Sequence, residues 1–115
     1  MKLKALLLPV ANLESTLNLL QDTLGLALKF RDTDRYAAFL PTPLSLTLAS
    51  KTERIIDKPA LVIEVEQGIE LLIERLTAVG VLVVQPIEKG PHEWRAVLEP
   101  INSAFQLVVT QKLAS

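Results

Sequence analysis

Leu6-Leu7-Leu8-Pro9-Val10-Ala11-Asn12-Leu13-Glu14-Ser15-Thr16-Leu17, running on to Leu24-Gly25-Leu26, is the stretch whose pattern decides the fold. An apolar run comes first and ends at Asn12. Leu13, Leu17, Leu20 and Leu24 then recur at spacings of 4, 3 and 4, which places them on one helical face. Asn12 is suited to cap the helix start, and Gly25 stands where a helix end wants a left-handed residue. Shifting the chain by 55 residues lays Leu6-Leu7-Leu8 over Leu61-Val62-Ile63 and Val10 over Val65. The same shift puts Leu17 on Leu72, Leu24 on Val79, Gly25 on Gly80, Leu26 on Val81 and Leu28 on Val83. Apolar matches alone say little in a chain rich in Leu and Val. A strand end, a helix start and a helix-stopping glycine that coincide under one offset read as an internal duplication.

The second copy carries its own helical stripe, Ile69, Leu72, Ile73, Leu76 and Val79, stopped at Gly80. The other apolar stretches are short and strand-like: 3–10, 26–31, 36–40, 44–49, 60–65, 81–87, 94–98 and 104–110. Turn residues separate them at Asp32-Thr33-Asp34, Pro41-Thr42-Pro43, Lys89-Gly90-Pro91 and Asn102-Ser103. The order is βαβββ twice. The fold class is therefore α+β, a single domain over 1–115, with a first module at 1–50, a linker at 51–58 and a second module at 59–111.

Composition narrows the function. Of 115 residues 50% are hydrophobic and 22% charged, which excludes a disordered chain. Twelve basic against thirteen acidic residues leave a net charge of −1, so nothing marks a nucleic-acid partner. With no cysteine there are no disulfides, thiolate metal sites or cysteine nucleophiles, which fits a reducing compartment. Met1–Ala11 has the basic start and apolar run of a signal peptide, but Asn12 and Glu14 end the run early, and a buried first strand is the expectation. Nothing approaches a membrane span of ~20 apolar residues. A soluble cytoplasmic domain with no membrane partner is expected.

The stretch from Val10 to Leu17, with Leu24-Gly25-Leu26, resembles the first strand-to-helix signature of the glyoxalase/bleomycin-resistance/dioxygenase superfamily, also called the vicinal oxygen chelate fold. Leu98-Glu99-Pro100-Ile101-Asn102-Ser103-Ala104-Phe105-Gln106-Leu107 is similar to its late Asp-Pro-x-Gly-Asn-x-x-Glu-Leu segment, and Val79-Gly80-Val81 to the end of its second helix. The resemblance implies a U-shaped, mostly antiparallel eight-stranded sheet with the helices outside, and homodimers with sites at the subunit interface. Family enzymes hold a divalent metal on His, Gln or Glu side chains from four strands. By the resemblance those positions fall on or near Ala5, Thr47, Ala60 and Gln106. Two methyl groups and a hydroxyl make poor ligands where about three nitrogen or oxygen donors are needed, so neither a metal nor any other cofactor is expected.

No other catalytic constellation is visible. His92 is the only histidine and falls in a hairpin connection; Glu64 and Glu99 carry no acid/base signature; no phosphate loop or nucleophile elbow occurs. Strand alternation says more. Leu6, Leu8 and Val10, Leu44, Leu46 and Leu48, Leu61, Ile63 and Val65, and Phe105, Leu107 and Val109 make one large apolar face for the helices. The opposite face is small and mildly polar: Ala5, Leu7 and Pro9; Ser45, Thr47 and Ala49; Ala60, Val62 and Glu64; Ala104, Gln106 and Val108. Such a face suits the wall of a ligand cavity, a partly wet sheet or a subunit interface. Tyr36, Thr47, Trp94, Arg95 and Gln106 are the candidate ligand-binding residues. Trp94 could stack on a flat ligand or equally cap the core or a dimer contact, and Arg31 and Arg95 could pair a ligand carboxylate or stand as exposed strand-end charges. An aromatic content of 4% and near-neutral charge argue against bleomycin-like drug binding. The sequence thus favours a metal-free small-molecule binder. Its alternatives are a metal-dependent lyase, isomerase or dioxygenase, and a structural dimer with no ligand.

Overall fold

The computed structural model describes residues 1–41, 44–50 and 56–114. The expected turn at Thr42-Pro43 and the first five residues of the expected linker, 51–55, lie outside them. The elements follow as β1 (Lys2–Pro9), α1 (Leu13–Asn18), a π-helical turn (Leu19–Thr23), β2 (Leu28–Asp32), β3 (Tyr36–Phe39) and β4 (Leu46–Ala49). The second half supplies β5 (Ala60–Val65), α2 (Ile69–Ala78), β6 (Leu82–Lys89), β7 (Glu93–Glu99) and β8 (Gln106–Lys112). This is the α+β class and the βαβββ order expected twice over. Contacts divide the chain into Ala5–Pro59 and a second unit of Ala60–Ser115 joined by Met1–Lys4.

Within the first unit the strands run β2-β3-β4-β1; within the second, β6-β7-β8-β5. The pairing is the same in both. β1 lies parallel to β4, and β5 parallel to β8, while β2/β3, β3/β4, β6/β7 and β7/β8 are antiparallel.

Each helix packs on one face of its own unit. Leu13, Leu17, Ala37, Phe39 and Leu48 form the first core, with Leu8, Leu28 and Leu46 against it. Val65, Ile69, Ala96, Leu98, Leu107 and Val109 form the second, with Leu72, Ile73 and Leu76 from α2. The large apolar face predicted by alternation is this one. Two of its predicted members, Leu44 and Phe105, fall just before β4 and β8 and are 51% and 38% exposed, and the two helical stripes each lose their last member, Leu24 and Val79, at 62% and 78% exposure. The latter two stand at helix ends, just before the glycines that turn the chain away.

Those ends are built alike. Gly25 and Gly80 have φ of 75° and 94°, the left-handed geometry of a helix C-terminus. In the second unit Val81 N–H donates back to Leu76 O at 3.0 Å, as such a motif requires; in the first, Leu26 N–H reaches one residue further, to Leu20 O at 2.9 Å. The extra residue is accommodated by the π-helical turn. The starts differ more. Asn12 Oδ1 accepts from Ser15 N–H at 3.0 Å, the predicted cap. α2 has Gly68 at its cap position, and Gln111 Oε1 of β8 accepts from Ile69 N–H at 3.0 Å instead.

Candidate functional site

The faces turned away from the helices carry the small and polar side chains. In the first unit, Ala38 pairs with Thr47 and Thr47 with Leu7, while Tyr36 pairs with Ala49 and Ala49 with Pro9. In the second, Glu99 follows Leu98, the partner of Leu107, and so comes opposite Gln106; Val97 pairs with Val108 and Arg95 with Thr110, and across β8 these meet Ala60, Val62 and Glu64. Four of the five predicted residues therefore lie on such a face: Tyr36 and Thr47 on one, Arg95 and Gln106 on the other.

Trp94 does not. It packs in the second core beside α2, with Lys89 Nζ 5.8 Å from its ring centre. Trp94 and Arg95 are consecutive in a strand, and consecutive side chains point to opposite faces.

Thr47 and Gln106 are buried at 7% and 2% exposure, whereas Tyr36 and Arg95 are half-buried. Gln106 Nε2 donates to Glu99 Oε1 at 2.9 Å, and Thr110 Oγ1 to Ile63 O at 3.0 Å. Near the other end of this face Lys4 Nζ lies 3.5 Å from Glu64 Oε2 and 3.9 Å from Glu93 Oε1. The two candidate arginines separate cleanly. Arg31 is committed on the helix side, to the Glu14 carboxylate of α1 and the Thr33 carbonyl. The Arg95 guanidinium has no hydrogen-bond or ion-pair partner among the described residues.

The metal positions change by one strand step. Leu6 pairs with Leu46 as Leu61 pairs with Leu107. The first-unit counterpart of Gln106 is then Ser45, and Thr47 corresponds to Val108. The donor set becomes Ala5, Ser45, Ala60 and Gln106, still with two methyl groups and one hydroxyl. The Gln106 amide is already engaged with Glu99, and among the described residues no buried side-chain nitrogen or oxygen lacks a partner. No three His, Asp or Glu side chains come together there either. These residues do not fit a divalent metal. His92 is exposed in the β6–β7 connection, as its turn reading requires.

Sequence reasoning missed one feature altogether. Leu28 pairs with Phe39 but Phe30 with Ala38, so β2 carries a bulge at Lys29. A regular strand would point Leu28 and Phe30 the same way; the extra residue sends Leu28 to the core and Phe30 to the opposite face. Its ring centre lies 6.2 Å from that of Tyr36, tilted by 57°. The second unit repeats the device. Val83 pairs with Leu98 and Gln85 with Val97, and a further shift follows before Glu88. The 55-residue offset maps Leu28 onto Val83 and Phe30 onto Gln85, so the bulge itself is repeated. No motif announces it.

No protein-family model matches the sequence, and no curated protein matches it. Solved structures do. The chain is similar to a glyoxalase/bleomycin resistance protein/dioxygenase superfamily member from Vibrio splendidus 12B01, with 14% identity over 94% of this chain and 97% of that one and a TM-score of 0.73. A Legionella pneumophila structure described as NAD-dependent benzaldehyde dehydrogenase shares 15% identity over 95% and 98% of the two chains, at a TM-score of 0.75. Methylmalonyl-CoA epimerase from Mycobacterium tuberculosis shares 16% identity over 96% and 87%, at 0.65. At such identities the likeness is one of architecture. The chain has the glyoxalase/bleomycin-resistance/dioxygenase fold that its motifs resemble. Among the described residues no helix is long and apolar enough to cross a membrane.

Proposed function

We propose that the chain binds a small organic molecule without a metal, each unit offering the sheet face turned away from its own helix. Arg95 carries this reading. A guanidinium that is half withdrawn from water, with no partner among the described residues, leaves part of its desolvation uncompensated. An anionic or strongly accepting group on a ligand would supply the bidentate partner that Arg95 lacks. Thr47 and Gln106 form the buried base of these faces, while Tyr36 and Arg95 are the members a ligand can reach. The metal-dependent alternative is disfavoured by its donor set.

Thermal unfolding tests both. A panel of small mono- and dicarboxylates should include compounds that raise the melting temperature saturably, by mass action on the folded state, about 2.7 kcal/mol at a hundredfold excess over Kd. Arg95→Gln should abolish that rise without lowering the melting temperature of the free protein. If no compound gives a saturable shift, the binding reading fails. Chelator-stripped protein should be unmoved by Mg2+, Mn2+, Zn2+, Ni2+ or Fe2+, and a saturable shift with one of them would return the enzyme reading to first place.

The proposed protein partner is a second copy. β6 ends the strand order of its unit and exposes Leu82, Val83 and Val84 at 57%, 44% and 47%, an edge that a closed pairing would cover. Light scattering should give twice the chain mass, and Val84→Lys should shift it toward the single chain.

A further inference from the structure

We infer that Phe30 and Tyr36 form a stacking subsite for a flat aromatic or conjugated ring, which deepens the small-molecule reading and rests on it. Three observations converge within the first unit. The bulge at Lys29 turns Phe30 out of the core and onto the face of Ala38, Thr47 and Ala49. A bulge that re-aims one side chain is a device found beside binding sites. Phe30, so placed, is 54% exposed, although Leu28 two residues earlier is part of the core. Its ring is then held 6.2 Å from Tyr36 and tilted by 57°, within the spacing and inclination of interacting aromatic pairs.

Phe30 stands beside short side chains. On β3 and β4 the neighbours on this face are Ala38, Thr47 and Ala49, so two rings rise beside alanine and threonine. A flat guest can lie against the exposed phenyl face of Phe30 with its edge toward the phenol of Tyr36. An aromatic side chain buries about 150–250 Å², so two rings match one small guest and fall short of the roughly 800 Å² per side of a stable protein interface. The second unit, which keeps the bulge, has Gln85 where the first has Phe30. Two of the five aromatic side chains in the whole sequence thus meet on this one face.

The test uses the full chain and two probes of equal size, indole and its saturated counterpart octahydroindole, followed by amide NMR titration. Indole should shift the signals of Phe30, Tyr36, Ala38 and Thr47 saturably, and octahydroindole should bind about fivefold to tenfold more weakly. Phe30→Ala should weaken indole by a similar factor with an unchanged melting temperature, and Phe30→Trp should restore it. Equal binding of the two probes, or indole shifts that survive Phe30→Ala, would overturn the inference. So would shifts at Phe30 that follow protein concentration instead of probe, which would assign the rings to self-association. Should indole fail while carboxylates still bind through Arg95, only the stacking subsite falls; if neither class binds, both readings fall together.

Discussion

Gln106 shows how far a single side chain can be read in advance. Its place at the start of β8, on the face away from the helix, follows from alternation; its partner does not, because Glu99 meets it only through the β7–β8 register. Gln106→Ala should lower unfolding stability by about 1–3 kcal/mol in denaturant titrations, the loss of its part-buried hydrogen bond to the Glu99 carboxylate. Arg31 and Arg95 look equivalent in sequence, each a basic residue in a short strand. Glu14 distinguishes them, and that pairing spans 17 positions and two elements. Trp94 is the opposite case. Adjacent to Arg95, it could not share a face with it, and alternation already contained that answer.

The two helices and their stops follow from apolar period and glycine placement, and all eight strands lie within a few residues of their predicted spans. Asn12→Ala should cost about 1 kcal/mol through loss of the Ser15 cap. Gly80→Ala should cost about 1 kcal/mol or more, from its left-handed backbone, since the new methyl would meet only Ile101 Cδ1 at 3.7 Å. Chemical denaturation of each variant checks both figures. The α2 cap could not be foreseen, because Gln111 supplies it from 42 positions away. The bulges at Lys29 and in β6 were equally hidden. A bulge is one residue too many relative to a partner strand, so it exists only in the pairing. For that reason Phe30 is missing from the predicted site although its neighbour Tyr36 is in it.

At the scale of the molecule, the described residues form two cores of closely similar construction, one per unit. Leu98 is fully buried in the second, and Leu98→Ala should cost about 2–5 kcal/mol. The parallel pairs β1/β4 and β5/β8 also have a kinetic consequence. Each unit is closed by joining its first strand to its last, so Leu6–Pro9 must wait for Leu46–Ala49, and Ala60–Val65 for Gln106–Gln111. Lys4 waits longer still, since its carboxylate partners stand at positions 64 and 93. During synthesis β1 leaves the ribosome before its partner β4 exists and is held open while some forty residues are added behind it. Chains whose contacts are this distant in sequence fold in milliseconds to seconds, not microseconds, and Leu6-Leu7-Leu8 is the segment a chaperone would meet bare.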